Sequence, residues 1–125
     1  MGALRALLVT LALLAATAPA CAHRLGRHLT VSSTAYSPCS SGSMMANGRH
    51  VRWGAVANNM LPLGTRIRLD RPISAHRPDG RLVHRRWFTV ADRIGWGTEL
   101  DVWMPSCADA VAYGSRTVGF RVAVS

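Results

Sequence analysis

A chain of 125 residues allows one compact domain. Fifteen basic residues face six acidic ones for a formal net charge of +9, and every basic residue is arginine. No apolar run after the first segment approaches the ~20 residues of a membrane span, which excludes a helical membrane domain there, while the charge favours polyanionic partners.

In chain order, residues 1–22 read as an export signal. Arg5 supplies a positive start, residues 6–16 an apolar run too short for a comfortable span, and Ala18-Pro19-Ala20 and Ala20-Cys21-Ala22 two small-x-small cleavage sites. An uncleaved anchor and lipidation at Cys21 are the alternatives, although Pro19 and the lack of leucine make a poor lipidation signal. The expectation is a secreted or cell-envelope protein, off the membrane once cleaved. Cleavage leaves Cys39 and Cys107, and an even pair in an exported chain reads as one disulfide. A nucleophilic cysteine needs an activating histidine, and His50, His76 and His84 all lie in polar stretches.

Residues 23–33 are assigned to a basic lead-in, loose over 23–28, and 34–125 to the domain. Leu29 and Val31, with Thr30 and Thr34, make 28–36 the first strand. Residues 38–52 are rich in Ser, Gly and Asn without an apolar period, a long loop that Cys39 pins at one end; this favours a functional loop over a disordered one. Residues 54–57 read as a short strand and 58–64 as a turn. The stretch 65–69 alternates, with Ile67 and Leu69 inward and Arg66 and Arg68 outward. Residues 71–79, with Pro72 and Pro78, read as a connection, Asp79-Gly80 as a hairpin turn and 81–91 as a strand.

The stretch 89–103 concentrates three of the six carboxylates (Asp92, Glu99, Asp101) and two of the four tryptophans (Trp96, Trp103). Its ends, 87–91 and 98–103, alternate as strands, and Gly95 and Gly97 let the chain turn between them. Residues 106–113 form the one expected helix, with Ser106 as cap, Asp109 three residues on as in a capping box, and Gly114 as stop. That gives Asp109 a structural role. Val118, Phe120, Val122 and Val124 alternate in a last strand. About six strands and one short helix predict an all-β fold, a small closed barrel.

Ala35-Tyr36, Asn47-Gly48, Leu61-Pro62-Leu63-Gly64-Thr65, Val90-Ala91-Asp92, Leu100-Asp101 and Ala110-Val111-Ala112-Tyr113-Gly114 follow one another across 34–124. Together they resemble the 3D domain, named for three aspartates, which is a six-stranded double-psi β-barrel. That domain is similar to the catalytic core of membrane-bound lytic transglycosylase A and of muralytic stationary-phase factors, and more distantly to rare lipoprotein A and expansins. The resemblance implies a groove for peptidoglycan glycan strands. It also implies an aspartate acting as general acid and base on the bond between N-acetylmuramic acid and N-acetylglucosamine. The sugar's own 6-hydroxyl attacks, leaving a 1,6-anhydro product. By position, Asp92 matches the family's middle aspartate and Asp101 its last, which protonates the leaving oxygen. Asn58 stands at or beside the first, in Ala55-Val56-Ala57-Asn58-Asn59. An asparagine can hydrogen-bond a sugar but is no base. Arg93-Ile94-Gly95-Trp96-Gly97 replaces the family's longer Gly-Gly-Ala-Ile-Lys-Gly segment.

Asp101 is thus the expected catalytic acid, with its pKa raised by apolar neighbours and by Asp92, and lowered by Arg93. The plainer readings are an Asp101 paired with arginine, an Asp92 capping its own turn, and a Glu99 that is either a reserve acid or a solvated partner of arginine. Trp96, between two glycines, is the expected sugar platform, whereas Trp53 and Trp103 can equally be core. Thr34, Tyr36, Asn47 and Asn58 complete the expected substrate contacts. No cofactor is expected, and no Cys/His grouping has metal-ligand spacing. The expected partners of this monomer are glycan strands and anionic wall polymers, and not nucleic acid, since no recognition helix is evident. A non-catalytic, expansin-like wall-binding module is the alternative function.

Overall fold

The computed structural model describes residues 24–95 and 99–124. Its elements are β1 (Arg24–Tyr36), β2 (Ala55–Ala57), β3 (Arg66–His76), β4 (Leu82–Asp92), β5 (Leu100–Trp103), α1 (Cys107–Tyr113) and β6 (Arg116–Val124). The strands close into a barrel in the order β1-β5-β2-β4-β3-β6. Two pairs, β1 with β5 and β2 with β4, run parallel, and the others antiparallel. The fold is therefore the expected all-β class: a closed six-stranded mixed barrel with one short helix. The expected export segment with Cys21, and Trp96, lie outside the described residues.

Period-two alternation fills the interior. Ile67 and Leu69 of β3, Phe88 and Val90 of β4, Leu100 and Val102 of β5 and Phe120 of β6 are all buried in one cluster. Burying each such side chain contributes about 1.5–3 kcal/mol. The same alternation turns Asp101 and Trp103 away from that cluster. Trp103 instead packs with Tyr36 and Ala57, and Val51, Trp53 and Ile94 pack against these three.

Helix α1 forms as expected. Ser106 Oγ accepts from the Asp109 amide at 3.1 Å, and Gly114 ends the helix at φ 63°. The Tyr113 hydroxyl meets Ser33 Oγ at 2.7 Å in the interior, fixing the helix to β1. Cys39 and Cys107 form the expected disulfide, with their Cα atoms 5.8 Å apart, so the root of the long loop is tied to the first turn of the helix.

Two expectations need correction. Residues 71–79 are not simply a connection, because β3 continues through Pro72 to His76 and pairs with β4 again from Ile73 to His76. Pro72 falls where the register shifts between Arg68 and Ile73, so its missing N–H removes no ladder bond. Residues 24–28 are not loose either. They begin β1 and pair with β6, with Arg24 opposite Val124 and His28 opposite Arg121.

Candidate functional site

The strand order brings the two central acids close. Asp101 of β5 is register partner to Thr34 of β1 on one side and to Ala57 of β2 on the other, and Ala57 is in turn partner to Asp92 of β4. The two aspartates therefore flank the small Ala57, two strands apart, or about 10 Å along the sheet between Cα atoms. Tyr36, Ala57, Asp92 and Asp101 form the floor of a cleft of about 350 Å³. Residues 40–42 and Met44 of the long loop form one wall, and residues 93–95 another.

Among the described residues, Asp101 accepts one hydrogen bond, from Thr34 Oγ1 at 3.1 Å. Burial pushes its carboxyl above the ordinary value; the Thr34 hydrogen bond pulls it down, and the like charge of Asp92 raises it again. Arg93 does not oppose this. Its guanidinium donates to the carbonyls of Asn58 and Leu61, both at 2.6 Å, and holds the turn after β2. Among the described residues, neither Asp92 nor Asp101 has an arginine partner.

Asp92 is more heavily bonded. Its Oδ1 accepts from the amides of Ala46 and Arg93, both at 2.9 Å, and its Oδ2 from the Tyr36 hydroxyl at 3.3 Å. The turn-capping role is thus present, and a second is added, since the Ala46 bond fastens the long loop over the end of β4. Asn47 N, donating to Ala91 O at 3.1 Å, reinforces that seam. Burial, and then the neighbouring Asp92, push the Tyr36 phenol far up from its ordinary value, so Tyr36 is a neutral donor.

The remaining candidates divide. Thr34 and Tyr36 touch the acids directly. Asn47 does not line the cleft: its Oδ1 accepts from the Arg49 amide at 2.9 Å, and it forms the loop's turn with Gly48 at φ 81°. Asn58 is 0% exposed. Its Oδ1 accepts from the Met60 and Leu61 amides at 2.9 and 2.8 Å, and its Nδ2 donates to Glu99 O at 2.9 Å. Asn58 is therefore a structural clasp between the turn and the start of β5, and its side chain does not line the cleft. Glu99 is exposed, its Oε2 accepts from the Ser32 amide at 3.2 Å, and it has no arginine partner among the described residues.

Trp103 is buried at the back of the site, and Trp53 stacks edge-on against Phe88 at 5.4 Å, so both serve packing. Sequence reasoning missed the walls of the cleft, namely Ser40, Ser41, Met44 and Ile94. The Ser- and Gly-rich composition of 38–52 pointed to the loop as a whole but to no single position within it.

No protein-family model matches this chain, and no curated protein matches it in sequence.

Proposed function

We propose that the protein is an exported peptidoglycan-cleaving enzyme of the lytic transglycosylase type, with Asp101 as its single acid and base. The observation that carries this reading is the pairing of a half-buried carboxyl, raised above its ordinary value, with a second carboxylate held by three donors across a small-residue floor. Burial, and to a lesser degree the like charge of Asp92, favour the protonated form of Asp101. That form is the one that can donate. The closed mixed barrel is compatible with the double-psi topology of the 3D domain, and the disulfide is compatible with an extracytoplasmic location.

In this reading Asp101 gives its proton to the glycosidic oxygen as the bond to the anomeric carbon breaks. The 6-hydroxyl of the same sugar attacks that carbon, and its proton passes to the Asp101 carboxylate, which restores the acid. One group serves both transfers, because an attacking hydroxyl already held in place supplies up to about 7–11 kcal/mol that a second protein group need not provide. Burial first and Asp92 second favour the protonated form of Asp101, Asp92 also anchors the loop that walls the cleft, and Thr34 orients the acid. Asn58 does not weaken this assignment. The position is buried, so its being an asparagine takes no acid away from the cleft surface.

The net charge of +9 suits an anionic wall and would equally suit a binding module without catalysis. Incubating purified sacculi with the protein and analysing the soluble fraction by mass spectrometry separates the two. Anhydro-ended muropeptides are expected. Protein that sediments with sacculi and releases nothing would assign the binding module instead.

A further inference from the structure

A second cavity, of about 340 Å³, shares no lining residue with the acid cleft. Its apolar walls are Trp53, Ala75, Pro78, Val83 and Pro105, and its charged or titratable lining is Arg85, Arg77 and His76, with no carboxylate among them. Arg85 is held in a fixed position there. Its guanidinium lies 5.9 Å from the Trp53 ring centroid, within cation–π range, and one Nη donates to Trp87 O at a long 3.4 Å. Gly54, at φ 105°, makes room for it: a Cβ at that position would stand 2.9 Å from Arg85 Nη1.

Arg85 has no carboxylate partner among the described residues. Its Nε–H and the indole N–H of Trp53 are both buried without an acceptor there. A planar guanidinium, braced by an aromatic ring and a glycine notch and without a carboxylate partner among the described residues, is a group that binds an oxyanion through charge-assisted N–H donors. His76 adds to the rim. Its Nδ1 bonds Asp109 at 2.8 Å, which leaves Nε2 without a partner among the described residues.

We infer that this cavity is an oxyanion-binding site, centred on Arg85, for a carboxylate or phosphate carried on a small apolar body. It is independent of the proposed chemistry at Asp101.

The test is an NMR titration that follows the Trp53 indole N–H and the Arg85 Nε–H, with N-acetylalanine, its neutral amide and inorganic phosphate as probes. Saturable shifts with either anion, and none with the amide, are expected. A tighter N-acetylalanine response assigns the natural ligand to carboxylates, and a tighter phosphate response to phosphate polymers. Arg85→Gln is expected to weaken the anion response about tenfold or more, the loss of a charge-assisted hydrogen bond. Arg85→Lys keeps the charge and stem but loses the fork. It provides the same comparison should the Gln variant fail to fold. Shifts of equal size with the amide, no saturable shift, or a response unchanged in the folded Arg85 variants would overturn the assignment.

Discussion

Replacing Thr34 with valine removes the hydrogen bond that Asp101 receives from the Thr34 hydroxyl and leaves the side-chain shape almost unchanged. That bond stabilises the ionised carboxylate, so its loss favours the protonated form. A hydrogen bond to a charged group contributes about 1.5–3 kcal/mol net. Asp101 is only half-buried and solvent screens part of the effect, which places it at the lower end. Since about 1.4 kcal/mol corresponds to one pKa unit, Thr34→Val is expected to move the Asp101 titration up by about one unit. Carboxyl-carbon NMR across a pH series reads this directly and needs no substrate. Thr34→Ser, which restores a hydroxyl, is expected to bring the midpoint back. If wall cleavage depends on protonated Asp101, the alkaline limb of its pH profile moves up by the same amount. A midpoint that stays in place or falls in Thr34→Val would refute the account of what sets this acid.

The other expectations concern the frame around the site. Asn58→Ala leaves the Met60 and Leu61 amides without their acceptor and is expected to lower stability by about 1–3 kcal/mol in urea unfolding, whereas Asn58→Asp is expected to add no activity to that of the wild type, because the position is buried. Reducing the Cys39–Cys107 bridge, which spans 68 residues, is expected to remove about 4 kcal/mol by the chain-entropy relation, read as the difference between unfolding curves with and without reductant. Asp109 and Asp101 give opposite pH signatures. Burial raises Asp109, but the His76 and Ser106 hydrogen bonds outweigh it and hold the group below its ordinary value. Its contribution is therefore complete above the unfolded pKa and is lost as pH falls through the folded one; Asp109→Asn should flatten the acid limb of stability. Asp101, whose pKa is raised in the folded state, binds a proton more tightly there, so its contribution is lost as pH rises through the folded pKa, and Asp101→Asn should flatten that decline.

The local patterns carried the elements well where one face is buried and one is wet. Ile67 and Leu69, or Val118 and Phe120, announce their strands because alternation is the physical consequence of a one-sided core. Residues 24–28 carry no such signal, because that end of β1 lies against β6 with most of its side chains exposed. Pro72 misled for a different reason: a proline breaks a strand only where its N–H is needed, and a register shift there removes that need. The acids were legible as an oddity of charge at strand ends. Their partners were not, since Thr34 and Asp101 meet through a parallel pairing of strands 67 residues apart. Asn58 shows the limit most sharply. A motif position was legible, but whether its side chain faces the cleft or the interior depends on the turn after β2 and on Arg93, whose guanidinium binds that turn's carbonyls.

The most direct measurement is the release of anhydro-muropeptides from purified sacculi by the wild-type protein and by Asp101→Asn, side by side and with folding verified for both. The account predicts release by the wild type and a loss of at least two orders of magnitude in the variant, the usual contribution of a positioned general acid. Release that persists undiminished in Asp101→Asn would contradict it.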